Sequence, residues 1–216
     1  MKTKLLTLIA VLAALPMAQA SLSWSWSGSS TIPDNSPSSG AAAGIYIPST
    51  DSQLSGIVNP YVAAVASVGI TISGGWAGDY TVELQHVNAT GGGSQSLNLF
   101  STLLGGAAAN GGFSSFQLTS SGGTVNSTFG ASTTSTANIT GTYNFNFGTT
   151  FNNIAPTGDW ILYVTDSQAG SQGTLTGWTL GLDVVPEPVN VALGIFGGLL
   201  GGIALVRYLI AKRRLV

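Results

Sequence analysis

The 216 residues carry six Lys+Arg against eight Asp+Glu, a formal net charge of −2, and no Cys. The bases sit at the two ends, Lys2 and Lys4 at the start and Arg207, Lys212, Arg213 and Arg214 at the finish, while all the acids fall between Asp34 and Glu187. This excludes nucleic-acid binding by the middle of the chain, because phosphate contacts need Lys or Arg. It also excludes a disulfide framework and thiolate chemistry, and with His86 the single histidine a self-contained metal or triad enzyme is disfavoured.

Residues 1–20 have the pattern of a signal peptide. Lys2 and Lys4 give a positive start, Leu5 to Ala14 an apolar stretch, and Pro16 a break. Ala18 and Ala20 place small residues at the −3 and −1 positions for a cut before Ser21. The apolar stretch is shorter than the roughly 20 residues needed to span a bilayer. The expected first partners are therefore the secretion machinery and signal peptidase. Residues 21–31 are expected to be a flexible mature N-terminus.

Residues 32–184 are expected to form one β-domain. Val68, Ile70 and Ile72 alternate with small or polar residues, as do Tyr80, Val82 and Leu84; Tyr143, Phe145 and Phe147; Trp160, Leu162 and Val164; and Trp178, Leu180 and Leu182. Apolar residues at a period of two, separated by Gly, Ser, Asn and Asp, predict short antiparallel strands. The fold class expected is all-β, a jelly-roll β-sandwich with aromatics on the inner faces. The stretch Gly105–Gly141, rich in small and polar residues, shows one strand, Phe113–Leu118, and is expected to hold the least order.

Residues 185–216 read as a separate segment. Val189–Val206 carries one polar residue, Asn190, and no charge, which predicts a single C-terminal transmembrane helix. Arg207, Lys212, Arg213 and Arg214 would act as a stop-transfer cluster that leaves the body outside the cytoplasm. Gly194, Gly198 and Gly202 would share one helix face, a spacing that suits close helix packing. Pro186, Glu187 and Pro188 precede this stretch. Pro-Glu-Pro, an apolar helix and a basic tail together resemble the PEP-CTERM sorting signal of Gram-negative bacteria. That resemblance implies an exosortase as partner and an inner-membrane-anchored precursor destined for the cell surface or extracellular matrix.

The body resembles a second family, the P/Homo B domain that follows the catalytic domain in proprotein convertases and bacterial subtilisin-like proteases. The residues that carry the resemblance are Ile32-Pro33-Asp34-Asn35, Gly78-Asp79 leading into Tyr80–Leu84, Gly141-Thr142-Tyr143, Gly158–Asp166, Gly173-Thr174-Leu175 and Trp178-Thr179-Leu180. It spans residues 32–182 and implies a β-sandwich. Gly78 and Gly173 are read as turn glycines, Asp79 and Asp166 as junction carboxylates accepting main-chain N–H bonds, and Trp160 and Trp178 as core residues whose indoles each need an acceptor.

Catalysis is not expected. His86 stands outside any nucleophile–base motif, and the few acids sit at turns rather than as a glycosidase pair. Turn carboxylates without neighbouring bases make Asp34, Asp79, Asp159 and Asp166 candidates for a structural Ca²⁺. Trp24, Trp26 and Trp76, outside the clear alternations, are candidates for contact with extracellular polysaccharide. The triplets at Asn88, Asn126 and Asn138 match the glycosylation acceptor pattern, which chance accounts for in a chain this rich in Asn and Thr. The leading expectation is an exported, non-catalytic surface or matrix protein processed by an exosortase. The alternatives are a P/Homo B accessory module acting in trans on a subtilisin-like serine protease, and a carbohydrate-binding module.

Overall fold

The computed structural model describes residues 19–89, 93–101, 111–121 and 138–186, together with helical positions 194, 196–204, 207 and 210. The described strands are β1 (Ala20–Thr31), β2 (Ser36–Ile47), β3 (Pro60–Gly74), β4 (Tyr80–Asn88), β5 (Ser94–Ser101), β6 (Phe113–Thr119), β7 (Ile139–Asn144), β8 (Gly158–Asp166) and β9 (Gly173–Pro186). They form a five-stranded sheet in the order β1-β9-β3-β6-β7 and a four-stranded sheet in the order β2-β8-β4-β5. Both sheets contribute to one hydrophobic core.

Alternation dictates most of this. Along β8, Trp160, Leu162 and Val164 are buried, while Asp159 is exposed and Ile161 and Tyr163 are partly covered. The same period aims Val82 and Leu84 of β4, and Leu180, Leu182 and Val184 of β9, into the core. An aromatic cluster fills one side: Phe113 lies 4.8 Å from Phe116 and 5.6 Å from Phe100, ring centre to ring centre. Trp160 finds its acceptor, donating from Nε1 to the Pro156 carbonyl at 2.9 Å. Trp178 Nε1 is buried with no acceptor, contrary to the expectation that each indole would be partnered.

Several expectations are corrected. The fold is a mixed two-sheet structure rather than an all-antiparallel jelly roll: β6 and β7 run parallel, and the sheets hold five and four strands. Residues 21–31 belong to β1, which pairs with β9 from Ala20↔Val184 to Thr31↔Thr174. The alternation Tyr143, Phe145, Phe147 does not continue as a strand, because β7 stops at Asn144; Phe147 is still buried and touches Phe145.

The C-terminal expectations change most. Among the described residues no helix is long and apolar enough to cross a membrane. The expected transmembrane helix and inner-membrane-anchored precursor are therefore not supported. Arg207 is an exposed helical residue. Pro186 is the last residue of β9 and pairs with Pro60 of β3, so it is part of a sheet and not an extended tether. Ala18, Asn126, Glu187, Pro188, Lys212, Arg213, Arg214 and most of Gly105–Gly141 lie outside the described residues.

Candidate functional site: an acidic corner

Three segments meet at one end of the sandwich, where β8 finishes and β4 begins. The β1–β2 turn contributes Asp34 and Asn35. Asn35 takes a left-handed φ of 50°, which its short side chain tolerates, and its N–H donates to the Gln168 carbonyl at 3.1 Å. Both Asp34 carboxylate oxygens accept from the Gly170 N–H at 3.1 Å. The turn is thereby fastened to the β8–β9 loop.

The second segment is a 3₁₀ turn, Ala77–Asp79, between β3 and β4, with all three residues buried. The Asp79 carbonyl accepts from Ser167 N–H at 3.1 Å and Ser167 Oγ at 3.2 Å. The third segment is the end of β8. Asp166 lies across from Tyr80 and Ser36 in the ladder, and its Oδ1 accepts from Gln168 N–H at 3.0 Å, a short Asx-type turn.

The electrostatics of this corner are one-sided. Asp79 is 5% exposed and Asp166 1% exposed. Burial raises the Asp79 carboxyl above the ordinary carboxylate range, and the charges of Asp166 and Asp34 raise it further. Burial raises Asp166 as well, opposed by the Gln168 N–H bond and assisted by Asp34. The Tyr80 hydroxyl is pushed up by burial and then by Asp166, Asp79 and Asp34. No base lies between Lys4 and Arg207 to offset these charges.

The sequence candidates divide. Asp34, Asp79 and Asp166 come together, whereas Asp159 is exposed at the opposite end of β8, paired with Val87 and Tyr46. Trp24 is buried and donates from Nε1 to Asp51 Oδ2 at 3.1 Å, a core role. Trp26 is half-buried, packed against the core and crowding Gly28. Trp76, 38% exposed, is the open one of the three, and its carbonyl receives the Asp79 N–H. Ser21 is the second residue of β1 and donates to Asp183. At the far end of the sandwich, an uncharged cleft of ≈ 600 Å³ is lined by Leu54, Ile57, Tyr61 and Pro156.

The residue that sequence reasoning missed is Tyr80, fully buried beside the acids. Its hydroxyl sits where a Cβ on Gly75 or Gly173 would stand. Gly173 is therefore small to admit Tyr80 and not to permit a turn, since neither it nor Gly78 has a positive φ. The Gly74-Gly75 doublet facing Gly173 was the available signal.

His86 is not part of a catalytic set. It is 2% exposed, its ring lies 4.4 Å from that of Trp160, and Nε2 bonds the Thr157 carbonyl at 3.2 Å. Among the described residues, no three acidic or imidazole side chains stand together as metal ligands. Burial lowers the His86 pKa, against the weaker opposing effects of the Thr157 carbonyl and Asp159. The unfolded chain then binds a proton before the folded one does, so His86 costs stability as pH falls below about 6.5 towards its depressed folded value. In urea titrations, the stability difference between the parent and His86→Phe should shrink over that interval and be constant above it.

Comparison with known proteins agrees with part of this picture. Residues 112–182 match the proprotein convertase P-domain family, a stretch that runs from just before β6 into β9. No curated protein matches. Two solved structures are similar: the serine protease of Aeromonas sobria in complex with the chaperone, at 13% identity over 83% of this chain with a TM-score of 0.45, and the Aeromonas sobria serine protease, at 15% identity over 81% with a TM-score of 0.44. This chain spans 29% of each of those chains. The family that matches is the P-domain, and Pro186 is laddered into β9. These findings do not support the PEP-CTERM resemblance, nor the exosortase partner and the cell-surface or matrix destination that it implies.

Proposed function

We propose that this chain is a P-domain-type accessory module that associates in trans with a subtilisin-like serine protease. The observation that supports this most directly is the P-domain match over residues 112–182, which takes in β6, β7, β8 and most of β9. Of the segments that carry the family pattern, those of Asp34, Gly78-Asp79 and Asp166 converge on one corner, as parts of one domain should. Such a module acts through surface and rigidity rather than chemistry. It brings no nucleophile–base pair, and its body between Lys4 and Arg207 is free of basic residues, so it offers a subtilisin-like protease no Lys or Arg to cut after along that length.

The reading predicts a complex with a subtilisin-like catalytic chain that lacks a sandwich of its own. Sedimentation velocity of the full chain mixed with that protease should show a one-to-one species with a Kd of roughly micromolar or tighter, the weak end for an interface of standard size. Separate sedimentation of the two chains at concentrations of tens of micromolar would count against it.

A further inference from the structure

Among the described residues up to Pro186, the large apolar side chains left exposed are Tyr46, Val58, Trp76 and Val87. All but Trp76 lie at the end of the sandwich opposite the acidic corner. Register puts two of them in one row: Tyr46 of β2 and Val87 of β4 both pair with Asp159 of β8. Their strand neighbours Ile45, Ile47, His86 and Trp160 are buried, so Tyr46, Val87 and Asp159 point away from the core. Tyr46 is 62% exposed and Val58 60%. The uncharged cleft opens beside this row. Its rim includes Ser49, a little beyond Tyr46, and Thr157, just before Asp159, and Val58 stands between its lining residues Ile57 and Asn59. Hydrogen bonds hold its walls in place. Ile57 N–H donates to the Leu54 carbonyl at 3.1 Å, Val62 N–H to the Ile154 carbonyl at 2.8 Å, and the Pro156 carbonyl accepts from Trp160 Nε1 at 2.9 Å.

We propose that this end of the sandwich is the face on which the subtilisin-like protease docks, with one apolar side chain of the protease seated in the cleft and one of its arginines laid across Tyr46 onto Asp159. The inference rests on the accessory-module reading and adds to it the place and the chemistry of contact. A cleft of ≈ 600 Å³ without a charged lining residue falls within the roughly 300–1,000 Å³ of pockets that enclose a compact ligand. Because its walls are already held, seating an apolar anchor there orders little more of this chain. The exposed Tyr46, Val58 and Val87 around it supply the aromatic and aliphatic centre from which an interface excludes water. Charge fixes the remaining contact. The row carries one charge, the Asp159 carboxylate, and between Lys4 and Arg207 the chain has no base to complement it, so the complement comes from the partner. Beside a tyrosine ring, a planar guanidinium can stack on the ring face and still pair with the carboxylate, which a compact ammonium does less well.

The test is sedimentation velocity of the full chain with a subtilisin-like catalytic chain that lacks a sandwich of its own. Tyr46→Ser, Val58→Ser and Asp159→Lys should each raise the Kd about tenfold or more. Trp76→Ser, at the opposite end, should change it by less than about twofold, and Asp159→Glu should bind as the parent does. Tyr46, Val58 and Asp159 are exposed, so urea midpoints of their variants should stay close to the parent's. Raising NaCl from about 50 to about 500 mM should weaken the parent complex more than that of Asp159→Asn, because salt screens the ion pair that only the parent makes. A complex that Tyr46→Ser, Val58→Ser and Asp159→Lys all leave unchanged would overturn the docking face and leave the accessory-module reading standing. No complex with either the parent or Trp76→Ser would overturn both. A dimer of this chain alone that Tyr46→Ser dissolves would assign the face to a second copy and so overturn the proposal.

Discussion

A chain beginning at Ile32 is expected to be unfolded at 25 °C, whereas one beginning at Ser21, the start expected from Ala18 and Ala20, should fold as the full chain does. The difference between them is β1. It buries Trp24, half-buries Leu22 and Trp26, and supplies the outer partner of β9 along its length. At about 1.5–3 kcal/mol for each fully buried large side chain, losing these three removes about 5 kcal/mol. That is at or near the whole stability of many domains, about 5–15 kcal/mol. The cut also turns β9 from an interior strand into an edge with unpaired N–H and C=O groups. Far-UV circular dichroism and urea titration distinguish the outcomes. A cooperative transition in the chain beginning at Ile32, with the midpoint of the longer one, would show that β1 is an ornament on a domain complete without it.

Trp160→Ala is expected to cost about 3–5 kcal/mol, the range for emptying a large aromatic site in a core that cannot collapse around it. Trp160 is fully buried between His86, at 4.4 Å, and Phe151, at 5.2 Å. Two phenylalanine variants separate packing from hydrogen bonding. Trp160→Phe strands the Pro156 carbonyl, which now accepts from Nε1 at 2.9 Å, and should cost about 1–3 kcal/mol beyond the lost volume. Trp178→Phe deletes an indole N–H that has no acceptor and should be the milder of the two. Equal costs measured in urea would mean that the Trp160 hydrogen bond contributes nothing.

Much of this fold is legible in the sequence, and the gaps have physical causes. Strands β4, β8 and the second half of β9 show their alternation openly because large apolar residues face inward at every second position. The first half of β3 hides it: Val62, Val65 and Val68 face the core at intervals of three because the β3–β9 register shifts between Val62 and Ala64 and again between Val65 and Ser67. Strand β2 turns alanines, Ala41 and Ala43, inward before Ile45 and Ile47, and small residues signal burial weakly. Strand β1 does alternate, with Leu22, Trp24 and Trp26 set against Ser21, Ser23, Ser25 and Ser27, but its serine-rich texture resembles a loop, and so its tryptophans look like ligand contacts.

The candidate site was visible as residue types but not as a place. Asp34, Asp79 and Asp166 are turn carboxylates in the sequence. Their convergence, and the exclusion of Asp159, depend on which end of β8 meets the β1–β2 turn, and no local pattern encodes that. Composition misled at the C-terminus. Apolarity over Val189–Val206 suggests a membrane span, yet no described helix is long and apolar enough to be one, and the sheet runs through the first proline of the supposed tether.

A trans-acting P-domain-type module should stabilise its subtilisin-like protease, and the most direct measurement is the melting temperature of that protease with and without the full chain. A ligand that binds only the folded form stabilises it by about 2.7 kcal/mol at a hundredfold excess over Kd. The protease should melt several degrees higher in the presence of this chain. An unchanged melting temperature at the highest attainable concentration of the chain would contradict it.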